Sequence, residues 1–240
     1  IMPLPKIATP TYELVLPSTG KKIKYRPFLV KEEKILILAL ESEDTKQITN
    51  AIKTILKSCI STRGIKVEDL PTFDIEYIFL NIRGKSVGES IEVLVTCPDD
   101  GETQVERKIY IDEIQVEKDE KHSPDIKLDH SLTLRMKYPS LNEFVQNNFS
   151  ASDDNTLQAS MDIIASCIDV VYSEDESWAA ADCTKKELSE WLETLNTSQF
   201  KEVETFFETM PKLTHKVMVT NPNTKVESEV VMEGLTSFFG

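Results

Sequence analysis

Apolar and polar residues alternate with period two over residues 11–26, TYELVL and then KKIKYR, which predicts two strands. Tyr12, Leu14 and Leu16 fall on one face, and Ile23 and Tyr25 are placed to pair across from them. Between them lies Pro17-Ser18-Thr19-Gly20, where proline fixes φ, serine hydrogen-bonds locally and glycine tolerates positive φ. A hairpin is expected. Pro27 leads into VKEEKILILALES, a strongly apolar helical stretch carrying Ile35, Leu36, Leu38, Ala39 and Leu40. Asp44 or Thr45 is placed to cap the next helix, TKQITNAIKTILKSCI, whose Ile48, Ala51, Ile52, Ile55, Leu56 and Cys59 form a helical stripe. A third helix is predicted over DLPTFDIEYIFLNIRGKSVGE, with Gly84 and Gly88 weakening its end.

Two further strands follow in SIEVLVTCPDDGETQVERKIYIDEI, around a Pro-Asp-Asp-Gly turn. Residues 117–130 are charged and read as a solvated loop, and SLTLRMKY as a strand that Pro139 stops. Helical patterns resume at SLNEFVQNNF, at NTLQASMDIIASCIDVVY and at TKKELSEWLETLNTSQFKEVETFFETM. In the last of these Thr184 and Glu187 fit a capping box, and Thr197 or Ser198 fits a second start. The closing hairpin, VMVTNPNTKVESEVVM, shares Val-x-Val-Thr-x-Pro with the earlier VLVTCPDDGETQVERKIYI. Two readings of that likeness stand: neighbours in one sheet, or turn chemistry repeating itself. The pattern predicts an α+β fold of antiparallel hairpins with several packed helices. Residues 1–139 are expected to form an α+β region of hairpin, three helices and central sheet. Residues 140–240 are expected to form a mainly helical lobe whose final hairpin returns to that sheet.

The 240 residues are 40% hydrophobic and 28% charged, which suits a globular chain with its own core. No apolar run approaches the roughly 20 residues of a membrane span, so no membrane partner is expected. The proline-rich start, IMPLPKIATP, does not have the pattern of a signal peptide, and a cytoplasmic location is expected. The net charge of -14 is unevenly spread. Residues 1–88 carry 14 Lys and Arg against 10 Asp and Glu, whereas residues 89–240 carry 13 against 31. So acidic a larger part argues against nucleic acid. It suits solubility, association between unlike halves, or docking on a basic partner.

Candidate chemistry is sparse. Leu16-Pro17-Ser18-Thr19-Gly20 spells a cell-wall sorting signal, but it lies near the start of the sequence, with no hydrophobic span and basic tail after it. A phosphate loop would place its Lys-Ser/Thr at a helix start, whereas Lys21 and Lys22 begin a strand. The four cysteines are scattered, and Cys97-Pro98-Asp99-Asp100-Gly101 is only half of a zinc knuckle. Asn221-Pro222-Asn223-Thr224 at the matching turn has no thiol, so neither metal nor cofactor is expected. Catalysis through Cys97 lacks a base and an orienting group. Glu32-Glu33 reads as a solvated helix turn and Asp153-Asp154 as a helix cap. No enzyme is expected. Leu235, Phe238 and Phe239 make an apolar cluster at the chain's end that either packs on the body or anchors a partner.

The order and spacing of TPTYELVLPSTGKKIKYRPFLVKEEKILILALES, LPTFDIEYIFLNIRGKSVGE and the closing EGLTSFF resemble the baseplate protein family of T-even-type (T4-like) bacteriophages. The resemblance is strongest over residues 9–111 and 214–239. It implies a non-enzymatic role in building the contractile tail, in assembly of the central baseplate hub. The implied partners are other tail and hub proteins, the tape-measure protein among them, or further copies of the chain. Members of the family often carry cysteine pairs in their turns. The lone Cys97 departs from that pattern, and no structural metal is carried over.

Overall fold

The computed structural model describes residues 7–42, 44–149 and 157–238. The expected first hairpin is present as β1 (Tyr12–Val15) and β2 (Lys22–Tyr25), with Tyr12 opposite Tyr25 and Leu14 opposite Ile23. Three helices follow: α1 (Val30–Glu41), α2 (Thr45–Cys59) and α3 (Thr72–Val87). Asp44 caps α2, its carboxylate accepting from the amides of Lys46 and Gln47. α3 buries side chains around its whole girth, from Phe73 and Ile75 to Leu80 and Ile82, and so is the central helix. Gly84 continues α3 rather than ending it, because Ile111 packs where a side chain would stand. A Cβ there would lie 2.6 Å from Ile111 Cδ1.

The second hairpin is β3 (Ser90–Thr96) with β4 (Gln104–Tyr110). The strand β5 (Gln115–Glu117) runs into the segment expected as a solvated loop, which also holds all of β6 (Asp125–Lys127). Then come β7 (Thr133–Met136), α4 (Leu141–Phe149) and α5 (Leu157–Ser166). The helical pattern of residues 155–172 does not run to its end. Ile168–Tyr172 form β8, paired to β7 and to β9 (Ser177–Ala179). This β-branched run satisfies its backbone between β7, which the pattern predicts, and β9, which it does not. The region expected to be a helical lobe thus contributes two strands to a sheet ordered β6-β7-β8-β9. The chain closes with α6 (Lys185–Leu192), α7 (Thr197–Thr209), β10 (Lys212–Thr220) and β11 (Glu227–Glu233). Thr184 and Glu187 form the expected capping box on α6, and Asn196 with Gln199 caps α7.

Among the described residues there are seven helices and eleven strands, every sheet is antiparallel, and the fold is α+β. The buried side chains make two cores. The first joins Leu16, Ile23 and Tyr25 to α2, α3, the β3–β4 hairpin, Phe144 of α4, and Leu213, Val217 and Val219 of β10. The second joins Leu134, Met136, Ile168, Leu192, Val203 and Phe206. Side chains of residues 213–238 therefore pack with the first core, so the two cores do not follow a single cut at residue 139. We propose that the chain's two lobes follow these cores.

Three hairpins share one turn. Gly20, Gly101 and Lys225 donate their amides to the carbonyls of Leu16, Cys97 and Asn221, each four residues earlier and each followed by proline. The donors have φ of 69°, 69° and 66°, so Lys225 holds a left-handed conformation that glycine serves in the other two turns. The LPSTG segment is thus a hairpin turn, pinned to α3 by Asp74. That fully buried carboxyl accepts from the Ser18 amide at 3.0 Å and from the Ser18 hydroxyl.

Candidate functional site

The two hairpins that share Val-x-Val-Thr-x-Pro lie side by side, but in separate sheets. Arg107 Nε donates to the Met218 carbonyl at 3.2 Å, and the turns meet through side chains. Asn221 is fully buried, and its Oδ1 accepts from the amides of Asn223 and Thr224. That leaves its Nδ2 to donate to Asp99 Oδ1 at 3.0 Å and to Asp100 Oδ2 at 2.7 Å. Hydrogen bonds from Thr224 and Asn221 hold the Asp99 carboxyl below its ordinary range; those from Thr103 and Asn221 do the same for Asp100. Asparagine therefore stands as a donor against the carboxylates of the half-knuckle turn. Among the described residues, no group of three or more His, Cys, Asp or Glu side chains is arranged to hold a metal. Asn221→Ala is expected to part the turns, read as faster amide exchange at Gly101 and Lys225, with the β3–β4 and β10–β11 ladders still protected.

The three buried cysteines are poorly set for nucleophilic work. Cys97 is buried, and burial with the nearby charges of Asp99 and Asp100 raises its pKa, away from the thiolate. Burial pushes the Cys59 thiol up to about 11 and the Cys167 thiol up to about 12.

The apolar end of the chain is largely interior. Leu235 is 2% and Phe238 1% exposed, both in the first core, while Phe239 lies outside the described residues, as does the Asp153-Asp154 pair. The large apolar surface is instead on α1. Its inward side is Glu32, Leu36 and Ala39, and its outward side sets Val30 (81% exposed), Ile37 (50%) and Leu38 (54%) among the exposed charges of Lys31, Glu33, Lys34 and Glu41. Large aliphatic side chains left exposed together are ordinarily covered, so α1 presents a mixed aliphatic and charged face suited to a protein partner.

Glu32 fixes that face. Expected to be solvated, it is buried, because Arg26 at the end of the first hairpin reaches it: Nη2 donates to Oε1 at 2.8 Å. The Leu29 amide donates to Oε2 at 2.9 Å, which closes the first turn of α1, and the Ser58 hydroxyl of α2 donates to Oε1 at 2.9 Å. Burial pushes this carboxyl up, but the bonds from Arg26, Leu29 and Ser58 outweigh it and bring its pKa down to about 2. One carboxylate thus ties together a strand end, a helix start and a helix end. Sequence reasoning missed it; the one available signal was an arginine six residues before a glutamate at a helix start.

A family model described as T4 bacteriophage base plate protein matches residues 9–240. The chain belongs to this family. Membership puts the role of this baseplate protein at the phage tail baseplate, with other baseplate proteins as its partners. No curated protein and no solved structure matches the baseplate protein. Among its described residues, no helix is long and apolar enough to cross a membrane.

Proposed function

We propose that this baseplate protein is a non-enzymatic assembly factor for the central hub, holding hub or tape-measure components in the host cytoplasm until they are incorporated. The observation that carries this reading is the outward face of α1. Val30, Ile37 and Leu38 stay in water on a helix whose mount, through Glu32, is buried and hydrogen-bonded to Arg26 and Ser58. A face held in place before its partner arrives loses little conformational entropy on binding, which favours capture of a client. The proposed role needs no catalytic group.

A permanent place in the hub is the second reading, favoured by the charge division. Residues 1–88 are net basic and residues 89–240 strongly acidic, an arrangement suited to contacts between unlike halves in a finished assembly. Quantitative mass spectrometry of purified virions, together with co-expression with hub proteins, separates the two. Absence from virions with capture of a hub protein, lost in Leu38→Glu, is the expected outcome. A fixed number of copies per tail makes the protein a structural subunit, and failure to bind any tail component overturns both readings.

A further inference from the structure

A second surface lies far along the chain from α1. β8, β9 and α6, with Leu132 just ahead of β7, enclose an open groove of about 470 Å³, walled by Leu132, Ile168, Val171, Leu188, Trp178 and Trp191. Trp178 is 47% exposed, an expensive place for the largest apolar ring unless something covers it. Both of the protein's tryptophans stand in this one groove. Its setting is acidic: Glu187 is part of the wall, and Glu174, Asp175 and Glu176 form the exposed β8–β9 turn beside Trp178. Over residues 169–193 there are eight Asp and Glu against two Lys.

We propose that this groove receives a basic amphipathic segment of another tail protein, its aliphatic side chains between the two tryptophans and its Lys or Arg side chains against the acidic rim. Charge selects the occupant. The apolar walls accept aliphatic anchors from any source, whereas the rim attracts a cationic flank and repels an anionic one. A second copy's α1 is a poor match, because Glu32 is buried and its exposed charges, Lys31 and Lys34 against Glu33 and Glu41, balance and leave no cationic flank. For the natural partner, the assignment rests on the hub-assembly reading; the groove's preference for cationic amphipathic chains does not.

The tryptophans and one cysteine supply the assay. Cys183 is the exposed cysteine of the four and lies in the groove wall, while Cys59, Cys97 and Cys167 are buried. Two synthetic helical peptides are titrated into the full chain, sharing leucines at helical spacing and carrying either Lys or Glu elsewhere. The Lys peptide is expected to change tryptophan emission saturably and to slow alkylation of Cys183, with the Glu peptide about tenfold weaker or worse and added salt narrowing the gap. Trp178→Ala, a half-exposed position that leaves the fold intact, is expected to weaken the Lys peptide by about tenfold, read through Trp191.

Equal binding of both peptides, binding of neither, or unchanged affinity in Trp178→Ala overturns the assignment. So does an emission change that appears on raising the protein concentration alone, in step with a dimer by sedimentation, since a second copy would then fill the groove. If hub capture succeeds and the peptides fail, the groove assignment falls alone. If the peptides bind as expected and no hub protein is captured, the assembly reading falls and the groove stands.

Discussion

Replacing Glu32 by alanine is expected to destabilise the protein by about 3–5 kcal/mol, the range for breaking a buried ion pair by removing one partner. The loss is large because three groups are orphaned together. Arg26, whose side chain is 19% exposed, keeps its charge without its carboxylate, and the Leu29 amide and Ser58 hydroxyl lose their acceptor. Glu32→Gln keeps an acceptor in place and is expected to lose less. The pH dependence carries its own sign. A carboxyl at about 2 in the folded chain, against 4.5 when unperturbed, stabilises the fold fully above pH 4.5. That contribution, about 3 kcal/mol from the shift, is lost as the pH falls from 4.5 towards 2. Denaturant titrations across this window check it: the wild-type acid limb should be steeper than that of Glu32→Ala. Equal acid limbs would remove Glu32 from the account. Because Glu32 mounts α1, the same variant should also weaken capture of a hub component while leaving the Trp178 groove intact.

Phe206→Ala is expected to cost about 3–5 kcal/mol as well, from lost burial and the cavity left behind. For a chain of this size that lowers the melting temperature by about 10 °C. Phe206 is 2% exposed and is the second core's end of a chain of rings between lobes. It stacks on Tyr138 with centroids 5.7 Å apart, and Tyr138 meets Phe73 of α3 edge-on at 5.1 Å. His122 completes the cluster, 5.0 Å from Phe206 and 5.5 Å from Tyr138, with burial lowering its pKa so that the neutral ring is favoured. Removing Phe206 therefore loosens the second core and the contact between cores together. Calorimetry is expected to show one transition in the wild type and two in Phe206→Ala, the earlier belonging to the lobe that contains both tryptophans. A single lowered transition in the variant would mean that other contacts, such as the Thr72 amide on the Pro139 carbonyl at 2.8 Å, keep the cores coupled.

Much of this molecule follows from short-range rules that a sequence carries in plain form. The pairing of Tyr12 with Tyr25 and Leu14 with Ile23, the Asp44 cap and the Thr184–Glu187 box all depend on residues within about a dozen positions of each other. So do the x-Pro turns. At that range alternation, caps and φ preferences are decisive. The likeness between the turns at Cys97 and Asn221 was also visible, though not that Asn221 would donate to Asp99 and Asp100 from a neighbouring sheet.

What the sequence could not show depended on distant partners. Ile168–Tyr172 continue a helical pattern and become a strand because β7, more than thirty residues earlier, offers its edge. Glu32 looks like a solvated acid until Arg26 and Ser58 converge on it, and Gly84 looks like a helix breaker until Ile111 occupies the space above it. The interaction surfaces divide the same way. Leu235 and Phe238 and the aliphatic run of α1 are equally apolar as sequence, and only packing decides that the first two enter the core while Val30, Ile37 and Leu38 remain in water. Composition specifies that apolar area must be covered; the tertiary structure determines which of it the chain covers itself and which is left for another protein.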